Sequence, residues 1–170
     1  GQMGTAFAQR LQGFGVRILA HDKYRSAFGN ETIEETTLET VLKESDVVSL
    51  HLPLTPETEH YVNAVLLARF KKPIWFINTA RGPLVDTKAL LDAIDDGRVL
   101  GAGLDVLEYE ERSLKGLSGS SNDQTLQRLY ANEKVLLTPH VAGLTKESYF
   151  KLANVLADKI LRDIADGVFN

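Results

Sequence analysis

The sequence predicts an α/β protein with a parallel sheet covered by helices on both faces, and two observations carry that reading. Apolar runs recur at Val16–Ala20, Val47–Leu52, Ile74–Ile77, Val99–Val106 and Val135–Leu137. Each is short, nearly uninterrupted and rich in Val, Ile and Leu, as in strands buried on both faces. Between them lie segments with helical spacing. Alternation of this kind builds βαβ units and a doubly wound sheet.

The elements follow in order. Gly1-Gln2-Met3-Gly4 leads into a helix over Thr5–Gln12, and the Val16–Ala20 strand then runs into His21 and Asp22. Thr37 is placed to cap a helix over Leu38–Lys43, Asn63 one over Ala64–Phe70, and Asp86 one over Lys88–Ile94 that stops at Gly97. Such side-chain oxygens accept the free amides of a first helical turn, and glycine closes the last one. Trp75 and Phe76 lie inside a strand and are expected in the core. Glu111–Gln124 is rich in Ser and Gly and reads as a surface loop before a short helix over Gln124–Ala131. Thr145 can cap a long last helix, where Tyr149, Leu152, Ala153, Leu156, Ile160 and Ile164 make one apolar face and Gly167 ends the run. That face could cover the sheet or cross to a second domain. With no internal repeat or boundary visible, residues 1–170 are expected to form one domain.

Composition narrows the function. The chain has 170 residues, 44% hydrophobic and 25% charged, enough for one domain with a real core. A net charge of -4 gives no reason to expect nucleic acid. The absence of cysteine excludes disulfides and thiolate metal sites, and no two histidines have i, i+4 spacing, so no metal is expected. No run nears the ~20 apolar residues of a membrane span. The N-terminus lacks the plan of a signal peptide, so no membrane partner and a cytoplasmic location are expected.

A dinucleotide fingerprint reads G-x-G-x-x-G after a strand, with an acid about 20 positions on. Here Gly1 and Gly4 stand for the second and third glycines, and Asp22 follows Gly4 by 18 residues. Gly1 would let backbone approach a pyrophosphate, the amides of Gln2 and Met3 would face it at the helix N-terminus, and Gly4 would let the helix pack on the sheet. Asp22 would accept from ribose hydroxyls and repel a 2′-phosphate. The expected fold is therefore Rossmann-type and the expected cofactor is NAD rather than NADP.

Three further stretches carry chemistry: INTARG with Arg81, GLDVLEYE with Glu110, and TPHVAG with His140. Each follows an apolar strand-like run, so an arginine, a carboxylate and a histidine leave one sheet edge together, where open α/β sheets bind ligands. Arginine grips a carboxylate in a planar fork, and histidine moves protons near neutral pH. Taken singly these residues would be ordinary: a strand-end arginine, a rim histidine, solvated acids at Glu108 and Glu110. His51 is expected to be a packed, hydrogen-bonded residue near the cofactor, with His21 and His60 on the surface.

The runs SLHLPLTPETEHYVN, FINTARGPLVDTKALLDAIDDGRVLGAGLDVLEYE and VLLTPHVAGLTKES together resemble the D-isomer-specific 2-hydroxyacid dehydrogenases. Within that family the chain looks most like the 3-phosphoglycerate dehydrogenases of serine biosynthesis. The resemblance implies roles position by position. Arg81 would hold the 2-oxo or 2-hydroxy acid, Glu110 would pair with the catalytic histidine, and His140 would be the acid/base. Asp105 would lie near the nicotinamide ring, with Thr79, Ala80, Val141, Ala142 and Gly143 along it and Leu52 and Pro53 under the adenosine half. It also implies a homodimer and a small-molecule acid substrate, with 3-phosphoglycerate expected first and glyoxylate or hydroxypyruvate as alternatives. An NAD-sensing corepressor is the competing reading. Two departures stand out: Glu111 replaces the proline usual after the glutamate, and the stretch from Glu110 to His140 is longer than usual. The chain also begins inside the glycine fingerprint. It is therefore expected to be the nucleotide-binding part of a longer enzyme, without the first strand and the substrate lobe, and unstable or inactive alone.

Overall fold

The computed structural model describes residues 1–108 and 123–167. In chain order the elements are α1 (Gln2–Arg10), β1 (Ile18–Ala20), β2 (Ile33–Glu35), α2 (Leu38–Glu44), β3 (Val47–Leu50), α3 (Ala64–Leu67) and β4 (Ile74–Asn78). A 3-10 turn (Gly82–Leu84), α4 (Thr87–Asp95), β5 (Val99–Leu104), α5 (Gln124–Ala131), β6 (Val135–Leu137) and α6 (Lys146–Ala165) follow. The chain forms two compact units, Gly1–Pro139 with all the strands and His140–Asn170 with α6.

Every strand pairing is parallel, in two sheets of order β1-β2 and β3-β4-β5-β6. Parallel strands flanked by helices in this way, β1-β2 and β3-β4-β5-β6, make a doubly wound, Rossmann-like arrangement. Among the described residues β1 pairs only with β2 and β3 only with β4, so each has one edge without a ladder. The Rossmann-type parallel sheet is what the sequence predicts.

One face of the four-stranded sheet carries the core. Ile74 and Phe76 of β4 pack with Leu67 of α3, Leu90, Leu91 and Ile94 of α4, and Leu126 and Leu129 of α5. Burying each such side chain is worth about 1.5–3 kcal/mol. Trp75 departs from expectation: it is 53% exposed. Side chains alternate across a strand, so Trp75 points to the opposite face, with Val47 and Leu136, which are also exposed. Its ring lies over Gly101, where an added Cβ would meet Cζ3 at 2.6 Å.

The expected caps form. Thr37, Asn63, Asp86 and Thr145 accept from the amides of Thr40, Leu66, Ala89 and Ser148, and Thr145 and Ser148 complete a reciprocal capping box. Gly97 (φ 81°) and Gly167 (φ 72°) supply the left-handed stops after α4 and α6. Boundaries shift where local geometry outweighs pattern. α1 starts at Gln2 rather than Thr5, because Gly1 is itself the N-cap. β1 starts at Ile18 and Val16 is exposed, while β3 stops at Leu50 and α3 at Leu67. β2 was not expected, since only Ile33 of its three residues is buried. The apolar face of α6 forms as spaced, with Tyr149, Leu152, Leu156, Ile160 and Ile164 all exposed. No helix among the described residues is long and apolar enough to cross a membrane. Glu110 and most of the Ser- and Gly-rich segment lie outside the described residues.

Candidate active site

The nucleotide end is assembled from three strand or helix ends of the first unit. Gly1 caps α1 and has open space around its Cα, so the first-turn amides of Gln2 and Met3 stand behind no side chain. α1 has no acid in its first turn, which leaves its positive end free for an anion. Gly4 packs on the residue after β3, where an added Cβ would lie 3.2 Å from the His51 Cβ. That contact is the close helix–strand approach the third glycine of the fingerprint permits. These features fit a dinucleotide.

Asp22 lies two residues beyond β1, and its Oδ1 accepts from the backbone amides of Tyr24 (3.0 Å) and Arg25 (3.1 Å). The Tyr24 amide is the main force holding its carboxyl below the usual range. Oδ2 receives no hydrogen bond among the described residues and is the oxygen available to a ribose hydroxyl. Next to it, Lys23 pairs with Glu57, and the Tyr24 hydroxyl also donates to Glu57, tying the loop after β1 to the loop after β3. That second loop begins with Leu52 and Pro53. His51 is half-buried, contacts the Phe7 ring at a centroid distance of 5.3 Å, and lies 3.2 Å from the Ser49 hydroxyl through Nε2. Burial pushes its imidazole below the ordinary value, so it is neutral at pH 7.

The arginine end is built on β4. Asn78 closes that strand and is 1% exposed. Its Oδ1 accepts from the Ala80 amide (3.0 Å) and its Nδ2 donates to the Arg81 carbonyl (2.9 Å), so one amide side chain fixes the Thr79–Arg81 turn. The Arg81 guanidinium is exposed and donates from Nη1 only to the Ala80 carbonyl. It makes no ion pair among the described residues, which leaves its fork available to a carboxylate. β5 delivers Asp105 alongside: its amide donates to the Asn78 carbonyl (3.0 Å), and its Oδ1 accepts from the Thr138 hydroxyl (2.5 Å) beyond β6. Asp105 is buried.

His140 opens the second unit, three residues after β6. It holds a left-handed backbone (φ 53°), uncommon for a residue with a side chain. Behind it the Leu144 amide donates to the Val141 carbonyl, and the Ser148 hydroxyl donates to the Gly143 carbonyl at 2.6 Å. The turn His140–Gly143 is thereby anchored on the N-terminal cap of α6.

The first unit thus gathers Thr79, Ala80, Arg81 and Asp105 at one sheet end, and joins the loops carrying Asp22 and Leu52–Pro53. Residue-by-residue reading missed Asn78, Gly82 and Glu108. Glu108, expected to be solvated, has a side chain only 14% exposed and pairs with His60. His60 is therefore a partnered surface residue. The available signal was a polar Asn ending an apolar strand, followed by Arg-Gly. Among the described residues no group of His, Cys, Asp or Glu could hold a metal.

Comparison with known proteins gives one answer. The chain is 35% identical over 148 residues to the D-lactate dehydrogenase of Treponema pallidum, covering 86% of this chain and 45% of that protein. It is 40% identical over 163 residues to the glyoxylate reductase of Korarchaeum cryptofilum, covering 95% of this chain and 46% of that protein. A solved D-isomer specific 2-hydroxyacid dehydrogenase from Lactobacillus delbrueckii subsp. bulgaricus, in its NAD complexed form, superposes with a TM-score of 0.84 at 37% identity, over 98% of this chain and 51% of that one. The chain spans about half the length of the relatives it matches. The family described as "D-isomer specific 2-hydroxyacid dehydrogenase, NAD binding domain" matches residues 1–142. A glycine turn opening a helix, an acid after the next strand and a parallel sheet in doubly wound order agree with that match, and the chain belongs to this NAD-binding family.

Proposed function

We propose that the protein carrying this chain is an NAD-dependent oxidoreductase that moves a hydride between C2 of a small D-2-hydroxy acid and the nicotinamide. The observation that carries the reading is Arg81, an arginine without an ion pair among the described residues, held by buried Asn78 on a turn at the C-terminal edge of a parallel sheet. NAD, when bound, supplies the hydride acceptor or donor. Arg81 grips the substrate carboxylate in its planar fork and so orients C2. In oxidation His140 accepts the C2 hydroxyl proton, and in reduction it returns one to the C2 oxygen. Glu110 is assigned as the carboxylate partner of His140 in that proton transfer. Thr79, Ala80, Asp105 and the Val141–Gly143 turn line the ring, Leu52 and Pro53 support the adenosine half, and Gly1–Gly4 with Asp22 hold pyrophosphate and ribose.

The relatives named D-lactate dehydrogenase and glyoxylate reductase favour a small unphosphorylated 2-oxo acid. The expected 3-phosphoglycerate finds no comparable support, and glyoxylate, hydroxypyruvate or pyruvate takes its place. We assign residues 1–170 to the nucleotide-binding part of a longer, homodimeric cytoplasmic enzyme. The test is NADH oxidation by the full-length protein with glyoxylate, pyruvate, hydroxypyruvate and the oxo acid of 3-phosphoglycerate. Turnover is expected with an unphosphorylated acid, and with a D product where pyruvate or hydroxypyruvate is reduced. Activity confined to the phosphorylated acid would restore the first choice of substrate, and inactivity with all four would remove the enzymatic reading.

A further inference from the structure

We propose that Glu108 is a positioning residue for the substrate-binding turn: its carboxylate clamps three segments around Gly82 and so fixes the backbone from which Arg81 projects. The inference rests on the reading of Arg81 given above. Oε1 of Glu108 lies 2.8 Å from His60 Nε2, and Oε2 accepts from the Thr87 amide at 2.9 Å, at the first turn of α4. A carboxylate there also complements the positive end of the helix. His60 in turn donates its own amide to the Pro83 carbonyl at 2.8 Å. Beyond it, the Val62 amide donates to the Leu84 carbonyl and the Asp86 amide to the Val62 carbonyl, zipping residues 60–62 to residues 83–86.

Gly82 is the pivot. An added Cβ would sit 1.9 Å from the Leu107 carbonyl oxygen and 2.6 Å from the Glu108 amide nitrogen. The turn after Arg81 therefore lies directly on the backbone that leads into Glu108, with no room to shift. Asn78 holds the Arg81 carbonyl on the other side. Two clamps bracket the arginine, and its side chain is left exposed. A second observation points the same way: His60 adopts φ 48°. A non-glycine residue keeps a left-handed backbone only where its surroundings over-determine it, and here its amide and its ring are both bonded. Glu108 touches no substrate in this scheme. It acts through the position of the guanidinium fork, and so through its grip on the substrate carboxylate.

The full-length enzyme carrying Glu108→Ala, Glu108→Gln, His60→Ala or Arg81→Lys tests this. Glu108→Ala is expected to raise KM for the oxo acid about tenfold with the NADH dissociation constant within about twofold, because uniform substrate binding is what a misplaced fork loses. Glu108→Gln keeps an acceptor for Thr87 and a partner for His60, and should restore KM to within about threefold of wild type. An unchanged KM in Glu108→Ala overturns the proposal. So does a loss of NADH affinity in step with kcat/KM, or a glutamine variant no better than alanine. If Glu108→Ala fails to fold, His60→Ala decides: a raised KM at unchanged NADH affinity supports the clamp, and an unchanged KM overturns it. If Arg81→Lys also leaves KM unchanged, the fault lies with the role given to Arg81.

Discussion

In the proposed reaction His140 and Arg81 divide the work at the level of single side chains, and their variants should fail differently. Loss of general acid/base catalysis costs ~10²–10⁴-fold, so His140→Ala in the full-length enzyme should lower kcat by that order with little effect on NADH binding. Arg81→Lys keeps the charge but loses the planar fork, so it should raise KM as well. Steady-state kinetics with an oxo acid separates the two, and identical losses in both parameters for both variants would contradict the division. Asp22 makes a third expectation. Its Oδ1 is occupied by two amides, and in the proposed reading Oδ2 is given to a ribose hydroxyl. Asp22→Ala should weaken NADH and narrow the gap to NADPH by roughly tenfold, about 1.4 kcal/mol, in titrations of each cofactor. The readings of these residues start from residue type and spacing, and the family resemblance supplies the roles of Arg81 and His140. Asn78 and Glu108 were not legible, because residue type does not show what a side chain bonds: Ala80 and Arg81 for Asn78, and His60, 48 residues away, and Thr87, 21 away, for Glu108. Glu108 looks solvated in a charged stretch, and only the fold brings His60 and the Thr87 amide to it.

Among the elements, the β4–turn–α4 passage positions the arginine, and its tightest point is Gly82. Gly82→Ala would drive a methyl group into the Leu107 carbonyl. Overpacking of this kind typically costs ~1–3 kcal/mol, and here backbone rather than a flexible side chain must yield. A lowered denaturation midpoint together with a raised KM is expected, and wild-type values for both would show that the turn tolerates a side chain. Capped helices and buried strands were readable because caps and apolar runs are local signals. Thr37, Asn63, Asp86 and Thr145 cap as their positions suggest. β2 escaped because a three-residue strand with one buried side chain has no periodicity to read. Trp75 was assigned to the core because a run of apolar residues does not say which face is covered. The sheet buries Ile74 and Phe76 and leaves Trp75 over Gly101.

For the molecule as a whole, the parallel sheet is the dominant feature, and His51 follows β3, an edge strand of the four-stranded sheet among the described residues. Burial holds its imidazole below the ordinary value. The unfolded chain, with the normal value near ~6.5, then binds more protons below that pH, so stability should fall as pH drops through it. Asp22, Asp92 and Asp96 are held below the usual carboxylate range and so titrate in a lower window. Urea midpoints of the full-length protein at pH 7.5 and 5.5 should differ more than those of a His51→Gln variant. Equal differences would mean that His51 does not govern acid sensitivity in this range. The most direct test of the whole account is a crystal structure of the full-length protein with NAD and a non-reacting 2-oxo acid analogue. The account predicts the Arg81 guanidinium forked on the analogue's carboxylate, with His140 within hydrogen-bonding reach of its C2 oxygen and of Glu110. An analogue held elsewhere, or His140 turned away from the nicotinamide, would contradict it.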